Sequence, residues 1–448
     1  MSKAMDMDIA GAFRGHEARR ARRRRAGASV AAAALSLGAL LSAGVPASAT
    51  SRSVTVTFWN EMTGPYGVAL AGEIRQFERA NPGITVDSVT IPNDAALEPK
   101  LLAAIVGHQE PTLSQMNPPW GTGFIHTGSL VNLSPHLAKT SSMSPSNFYA
   151  SLLEGGRWPD GRQYLFPFNV TTAIMFYNKT AFAKAGITAP PKTWQQFAAD
   201  AAKMSGGPRH AFAITLVHSY PWLAFFYQAG GNFILRDGRP NPAAFALNGP
   251  AGKALSLWAT MVKHGEAVLT QGYASQTDFA NGTSSILVGT SAFYPYLAQA
   301  VGHKFTIGVA PLPNNVQEAT SIFGGYLGMF SQATAAQRSA AFKFIEYLTS
   351  VQGTTYWANH SEGYLPVRPS VVKSDASFLA THPAQRVSLE ALPTGKNPPK
   401  VAWWDQFSHQ VLLNTITAVL IGKETVAGAL RSAYHQAVEL ANRNGTYQ

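Results

Sequence analysis

The sequence predicts an α/β protein built from two lobes. Its 448 residues exceed the length of one ordinary domain, and 46% of them are apolar while only 13% are charged, as in a globular chain. Strand patterns also alternate with amphipathic helix patterns, which is typical of α/β layers. Finally, a long apolar strand at residues 164–177 carries three polar side chains in its middle.

The N-terminal 49 residues have the organisation of an export signal. An arginine-rich segment at 19–25 precedes an alanine-rich apolar run at 26–45 and an Ala-Ser-Ala site ending at Ala49. This order predicts a secretory signal peptide that is cleaved after Ala49, by the Sec or the twin-arginine route. An uncleaved anchor helix is the alternative, but two glycines and a proline break the short run.

Charge and cysteine content exclude several classes of protein. The net charge is +11, of which residues 1–49 contribute +5 from eight basic and three acidic side chains, leaving +6. No basic block follows Arg25, which argues against a nucleic-acid groove. The absence of cysteine excludes disulfides, cysteine-ligated zinc and a lipidated cysteine anchor. We therefore expect a periplasmic or secreted monomer.

The first elements after the signal form a predicted βαβ unit. A strand at 54–59 precedes a helix at 65–80, which Asn-Pro-Gly ends, and a second strand follows at 84–91. Open parallel sheets bind ligands at the carboxyl ends of their strands. The end of the first strand and the loop after it therefore supply three candidate ligand contacts: Trp59, Asn60 and Glu61. A core position remains an alternative for Trp59.

Two further segments lead to the long strand. A helix at 97–106 and a short strand at 113–116 run into a loop at 117–121, which places Trp120 at another rim. The long strand then carries Asn169, Thr171 and Thr172, and buried polar side chains need partners, which a ligand could provide. A short helix from residue 178 ends at a glycine.

The second half repeats the alternation. A helix at 193–204 and a strand at 212–215 lead to Trp222, which we expect in the cleft, while the neighbouring His218 is expected to be structural. A helix at 250–264 precedes an apolar strand that ends in small hydroxyl residues, among them Thr290. Strands are predicted at 305–313 and 322–330.

The last part of the chain adds five more candidate positions. Gly325 and Tyr326 lie on the strand at 322–330, where a missing side chain lets a ligand approach the backbone. After a helix at 335–349, Tyr364 begins a turn, and Trp403 and Trp404 precede a helix at 408–420.

The chain lacks the common catalytic, metal and nucleotide motifs. It has no G-x-S-x-G, H-E-x-x-H, P-loop or G-x-G-x-x-G, so no metal or cofactor is predicted. Glu61 and Asp405 could form a glycosidase pair, but one carboxylate beside several aromatic rings also suits a polyol site. Binding is the preferred interpretation, and a secreted carbohydrate-active enzyme or a surface lectin stays as an alternative.

A family resemblance runs through the long strand and its flanks. Pro167-Phe168-Asn169, Tyr177-Asn178-Lys179 and the Pro190–Trp194 stretch resemble the crossover segment of the family 1 extracellular solute-binding proteins of carbohydrate-type ABC importers. The similarity is greatest to the glycerol-3-phosphate-binding branch. It implies a type II-like periplasmic-binding-protein fold, a small-molecule ligand between two lobes, and delivery to a permease in the membrane.

The resemblance carries over to some site residues and fails at others. It matches cleft hydroxyls with Thr171 and Thr290, a backbone glycine with Gly325 and a cleft tyrosine with Tyr364. A tyrosine, a carboxylate and a phosphate-pairing arginine of that branch fall instead at Leu97, Pro118 and Val401. Without the arginine, the bidentate partner of a phosphate is lost. A sugar or oligosaccharide is therefore expected, with glycerol 3-phosphate or a glycerophosphodiester as the alternative.

The expected lobes are discontinuous. Residues 50–168 with 291–332 would form the N-terminal lobe, and residues 169–290 with 333–448 the C-terminal lobe. Hinge closure would hold the ligand between them.

Overall fold

The computed structural model describes residues 53–374 and 377–446, so the predicted signal peptide at 1–49 lies outside the described residues. The ten strands of this described part are β1 Val54–Asn60, β2 Ile84–Thr90, β3 Leu113–Met116, β4 Leu165–Asn178, β5 Phe212–Ile214, β6 Ala267–Leu269, β7 Ile286–Thr290, β8 Ile307–Ala310, β9 Thr320–Met329 and β10 Gly395–Lys396.

Helices cover these strands on both sides of the molecule. Their bounds are α1 Gly64–Ala80, α2 Asp94–Val106, α3 Pro118–His126, α4 Ser134–Lys139, α5 Ala150–Gly155, α6 Lys179–Lys184, α7 Trp194–Met204, α8 Tyr220–Gln228, α9 Pro250–Lys263, α10 Ala274–Asn281, α11 Tyr294–Val301, α12 Ala335–Leu348, α13 Val351–Ser361, α14 Pro369–Ser374, α15 Phe378–Thr381, α16 Pro383–Ala391, α17 Trp404–Gln406, α18 Leu413–Leu420 and α19 Val426–Asn444. A π-helical turn, Phe407–Leu412, joins α17 to α18.

The long strand β4 connects two halves of the sheet. The strand order is β2-β1-β3-β9-β4-β7-β5-β6, with β8 on β4 and β10 on β9. Residues 165–172 of β4 pair with β9, whereas residues 173–178 pair with β7 and β8. The predicted single long strand is confirmed. Parallel pairs lie at both ends of the order, β2-β1-β3 and β7-β5-β6, as α/β layers require.

Local capping explains why the helix beginnings agree with the sequence. The side chain of Asn178 accepts from the Ala181 amide at 3.0 Å, and that of Thr193 accepts from the Gln196 amide at 3.2 Å. Both satisfy an amide that the first helical turn leaves unpaired. Thr334 and Gln337 form a reciprocal capping box at the start of α12.

The segment 117–121 differs from the loop that the sequence predicts. Pro118 is the first residue of helix α3, a position that proline suits because its missing N–H would be unpaired there. The helix turns Trp120 inward, where it is 3% exposed and packs in the core around β1 and β3. This burial argues against the predicted position of Trp120 at a cleft rim.

Two large hydrophobic cores lie on either side of β4. The first core includes Phe58, Leu113 and Phe166, and the second includes Met175, Trp222 and Trp258. Between them β4 passes from one core to the other within a few residues. This arrangement confirms two α/β lobes that are joined by crossing segments.

The packing of α12 and α13 differs from the expected lobe membership. Phe344, Ile345 and Trp357 on these helices belong to the first core, although the sequence assigned everything from residue 333 to the C-terminal lobe. Only after about Val401 do the buried side chains of the tail join the second core. We propose that the N-terminal lobe contains helices α12 and α13; the other boundaries stay a prediction.

Candidate functional site

A cavity opens between the two cores at the level of β9. It contains about 610 Å³ of empty space, part of which is open solvent. We call it the cleft cavity. Its lining comes from the β3–α3 junction, the start of α8, the middle of β9 and the tail near α17. Among the lining residues are Asn117, His218, Tyr220, Phe323, Trp404 and His409.

One wall carries hydrogen-bonding side chains from the first βαβ unit. The Glu61 amide donates to Gln115 Oε1 at 3.1 Å, and Gln115 Nε2 donates to Glu61 Oε2 at 3.3 Å. Asn117 Nδ2 donates to Asp94 Oδ2 at 2.8 Å. Glu61 Oε1 is buried without a hydrogen-bond partner, so one carboxylate oxygen remains available to a ligand.

The opposite wall comes from elements of the second core. His218 precedes α8, and Asp405 and His409 lie on α17 and the π-helical turn. His218 Nδ1 lies 3.8 Å from Asp94 Oδ2, and His409 Nδ1 lies 3.2 Å from Asp405 Oδ1. The walls thus bring acidic and imidazole groups of both lobes face to face.

Burial and crowding of carboxylates dominate the electrostatics. Burial and the neighbouring Asp94 raise the pKa of Glu61 to about 10, and burial and Asp405 raise the pKa of Glu98 to about 8. Burial opposes charge on His409, but Asp405 and other carboxylates raise its pKa to about 9. The pKa of His218 is lowered by burial. The cleft therefore favours a neutral or positively charged occupant.

Aromatic rings provide an apolar surface beside these groups. The rings of Tyr220 and Phe323 lie 4.5 Å apart, and the Phe323 ring lies 5.1 Å from His218. Tyr364 packs against Tyr66 and stacks on Trp357 at 5.7 Å. Flat apolar faces next to carboxylates are what the CH face and the hydroxyls of a sugar ring require.

Several predicted contacts lie at or beside the cleft. Tyr326 and Trp404 line it, although they are only 1% exposed, and Glu61 lies beside Gln115 and Asp94 behind the lining. Gly325 lies where a Cβ would meet the Asn169 and Gln115 side chains, so its missing side chain makes room for them. Trp59 is half-buried on the first core, with Lys100 Nζ 4.6 Å from its ring centroid. For these residues ligand contact stays a prediction.

Three predicted contacts are core residues instead. The Asn60 side chain is fully buried and donates to Ser88 Oγ at 2.9 Å, so it joins β1 to β2. Trp222 is fully buried against Phe226 and Phe233 of the second core. Trp403 is also fully buried, and its indole N–H donates to the Gly238 carbonyl at 2.8 Å. Protein groups enclose all three side chains, which argues against their predicted role as ligand contacts.

The two predicted hydroxyl contacts lie at a crossing between the lobes. Thr171 Oγ1 lies 2.5 Å from Ser291 Oγ and accepts from the Ser291 amide at 3.1 Å. Thr290 is 3% exposed and is a hydrogen-bond partner of Tyr220. The neighbouring Thr172 Oγ1 lies 2.7 Å from Ser388 Oγ. Protein groups, rather than a ligand, therefore satisfy Thr171 and Thr172 of β4.

Sequence reasoning missed four polar residues of the walls: Asp94, Gln115, Asn117 and His409. Asn117 follows strand β3 directly, so its position at a carboxyl end was a usable signal. Asp94 starts a helix and His409 lies within one. No local pattern distinguishes such residues from ordinary surface side chains.

Comparison with known proteins assigns the family. The sequence model of the bacterial extracellular solute-binding proteins matches residues 74–384. The chain belongs to this family. It is 24% identical over 423 residues to the sn-glycerol-3-phosphate-binding periplasmic protein UgpB of Salmonella paratyphi A, covering 87% of this chain and 93% of that protein.

Solved structures of solute-binding proteins share the fold. UgpB of Mycobacterium tuberculosis in complex with glycerophosphocholine superposes with a TM-score of 0.77 at 21% identity, over 87% of this chain and 99% of that chain. The sugar-binding protein MalE of Xanthomonas citri superposes with a TM-score of 0.76 at 26% identity, over 87% and 98%. The fold and the resemblance that the sequence indicates are thereby confirmed.

The family defines the general activity. The chain is a solute-binding protein of an ABC importer, which captures a small molecule and delivers it to the transporter, and the family is one of binding proteins rather than enzymes. Within the described residues, no helix has the length and apolar character to cross a membrane.

Proposed function

We propose that the protein binds an uncharged sugar or oligosaccharide in the cleft cavity. The observation that carries this proposal is a set of acidic groups behind the lining of a partly aromatic cavity: Asp94 contacts Asn117 and His218, Asp405 contacts His409, and Glu61 and Glu98 lie beside these two. Carboxylates accept hydrogen bonds from sugar hydroxyls, and ionic acceptors make the stronger bonds. The carboxylates of Asp94 and Asp405 would also repel a phosphate dianion.

The phosphate partner expected in the glycerol-3-phosphate branch is missing here. Val401, where its arginine falls, is fully buried in the second core. Among the described residues that line the cleft cavity, the only lysine is Lys396 and none is an arginine. Lys396 is exposed at the rim, where it would contribute little to binding a buried phosphate.

The second candidate is a glycerophosphodiester with a quaternary amine. Carboxylates beside the rings of Tyr220 and Phe323 could hold a trimethylammonium group through charge and cation–π attraction. Lys396 would then face the phosphodiester. This candidate differs from the first by requiring a cationic ligand group.

A ligand screen tests both candidates. Residues 50–448 would be titrated calorimetrically with sugars, oligosaccharides, glycerol 3-phosphate and glycerophosphocholine. We expect binding of an uncharged sugar. Binding of the phosphorylated compounds alone would overturn the sugar proposal, and selective binding of glycerophosphocholine would establish the second candidate.

Two variants locate the site. Glu61→Gln replaces a carboxyl group, which its raised pKa keeps neutral at pH 7, by a neutral amide, and we expect affinity to fall roughly 2- to 10-fold, since neutral hydrogen bonds contribute about 0.5–1.5 kcal/mol. Phe323→Leu removes an aromatic face at similar volume, with an expected loss of roughly 2- to 10-fold. Glu424→Gln, on an exposed carboxylate outside the cavity, is the matched control and should bind as the unmodified protein does.

We also propose export by a signal peptide at 1–49 to the periplasm or the exterior, as a monomer without a lipid anchor. The extracellular family and the absence of cysteine support this. Mass spectrometry of the exported protein should find Thr50 as the first residue, and light scattering should find one chain per particle. A mass that retains residues 1–49 would contradict cleavage.

A further inference from the structure

Three side chains with metal-ligating atoms meet across the cleft. One ligand atom each of Asp94, His218 and His409 lies within 4.8 Å of the other two. Asp94 begins α2 beside the first core, whereas both histidines belong to elements of the second core. The Asp94–His218–His409 cluster therefore spans the two lobes.

The hydrogen bonding around this cluster is incomplete. Among the described residues, His218 Nδ1, Glu61 Oε1 and Asp405 Oδ1 are buried atoms without a hydrogen-bond partner. The 3.8 Å between His218 Nδ1 and Asp94 Oδ2 is too long for a hydrogen bond. Unpaired buried polar atoms are costly, and a cation bound by the cluster would satisfy His218 Nδ1.

Neighbouring groups hold the cluster in a metal-binding orientation. Asn117 Nδ2 donates to Asp94 Oδ2 at 2.8 Å, which leaves the second Asp94 oxygen for a ligand. His409 Nδ1 faces the Asp405 carboxylate and lies 3.2 Å from the Asp405 carbonyl oxygen. Metal-ligating histidines usually give one ring nitrogen to a carboxylate or carbonyl in this way, which fixes the tautomer and frees Nε2 for the ion.

We propose that the cleft binds one divalent transition-metal ion, of the zinc class, through Asp94, His218 and His409. Two imidazoles and one carboxylate select zinc-like ions over magnesium and calcium, which prefer oxygen ligands. Three protein ligands leave a fourth position, which opens toward the cleft cavity and would accept water or an oxygen of the bound solute.

The geometry requires a modest adjustment. Ligand atoms around a tetrahedral zinc ion lie roughly 3.3 Å apart, so the cluster must contract by up to about 1.5 Å from its widest separation. Side-chain rotation of His218 and Asp94, or slight closure of the lobes, provides this. Because the ligands come from both lobes, the ion would stabilise the closed arrangement.

The test is a titration of metal-free, tag-free protein, residues 50–448, with Co²⁺ followed by visible absorption and with Zn²⁺ followed by calorimetry. We expect one ion per chain and the ligand-field bands of a low-symmetry Co²⁺ site. His218→Gln and Asp94→Asn should each weaken binding by at least roughly tenfold. His303→Gln, on a histidine exposed in the loop after α11, should bind the ion unchanged.

Circular dichroism and melting curves would verify that each variant folds. Absence of binding to the unmodified protein, or equal binding by the His218→Gln and His303→Gln variants, would overturn the proposal. Binding of organic amines but not of Co²⁺ or Zn²⁺ would also overturn it. The metal proposal does not depend on the identity of the solute, since a failed metal titration leaves the ligand screen unaffected.

Discussion

A buried carboxylate in helix α1 illustrates how one residue can control stability. Glu73 is fully buried, and neither of its carboxylate oxygens has a hydrogen-bond partner among the described residues. Burial raises its pKa to about 8, against weaker opposing effects of Tyr347 and the Trp357 backbone. The folded protein therefore holds a proton on Glu73 that the unfolded chain releases at lower pH.

This shift predicts a stability that falls with rising pH. The protonated Glu73 makes its full contribution to the free energy of unfolding below the unfolded-state pKa of about 4.5. This contribution falls by roughly 4 kcal/mol as the pH rises to about 8. Glu73→Gln, which cannot ionise, should remove this loss and be the more stable protein at pH 8. Urea unfolding at pH 5 and pH 8 measures it, with Glu424→Gln as an exposed control. Parallel pH profiles of the unmodified protein and the Glu73→Gln variant would contradict the prediction.

Single-residue roles were the hardest part to predict from sequence. Trp59 near the end of a strand and Trp222 near the start of a helix were both predicted to contact a ligand, yet the first is half-buried and the second is fully enclosed. Which side of a helix faces a cleft depends on how whole lobes pack, which no short window contains. The position of Glu61 at the edge of the sheet could be predicted because the residue directly follows strand β1.

At the scale of elements, the contact between β4 and β9 depends on a glycine. Gly324 has φ +129°, and a Cβ there would lie 2.2 Å from the Asn169 carbonyl oxygen. The register of the two strands also shifts between Pro167 and Asn169. Both observations show that the strands approach too closely for any side chain at residue 324.

Gly324→Ala should therefore destabilise the protein strongly. We expect a loss of roughly 3 kcal/mol or more, because left-handed backbone strain adds to a clash with backbone atoms that cannot rotate away. Gly161→Ala is the matched control: its φ is +78°, but a Cβ would meet open space, so about 1 kcal/mol is expected. Chemical denaturation compares the two variants. An equal loss of unfolding free energy in both variants would show that the neighbouring backbone moves and relieves the clash at residue 324.

Elements themselves were largely predictable, since strand alternation, caps and glycine stops are local signals. The strand β3 and the helix α7 begin and end where the sequence indicated. The exception, α3, arose because Pro118 and Pro119 were interpreted as turn residues, whereas proline is equally compatible with a first helical turn.

At the scale of the whole molecule, the cleft walls belong to different cores and are joined by crossing strands. Ligand that contacts both walls should favour the closed arrangement by its difference in affinity for the two states. We expect small-angle scattering to show a smaller radius of gyration with the solute found in the ligand screen. The same experiment on Glu61→Gln at equal ligand concentration should show a smaller change. Identical scattering with and without saturating solute would contradict closure.

The fold class could be predicted from length and alternation, but lobe membership could not. Helices α12 and α13 have ordinary amphipathic patterns, and only long-range packing places Trp357 beside Phe168 at a ring distance of 4.8 Å. Such contacts join residues far apart in sequence, and nothing in the local composition marks them.

The first core also determines when the chain can fold during synthesis. Its strand β9 and helices α12 and α13 leave the ribosome long after β1 to β4, behind the whole of α7 to α11. Until these elements are synthesised, the N-terminal half of the nascent chain therefore has unpaired strand edges and exposed apolar side chains. A fragment that ends near residue 291 would be prone to aggregation, and cellular chaperones would meet this protein mainly in that unfinished form.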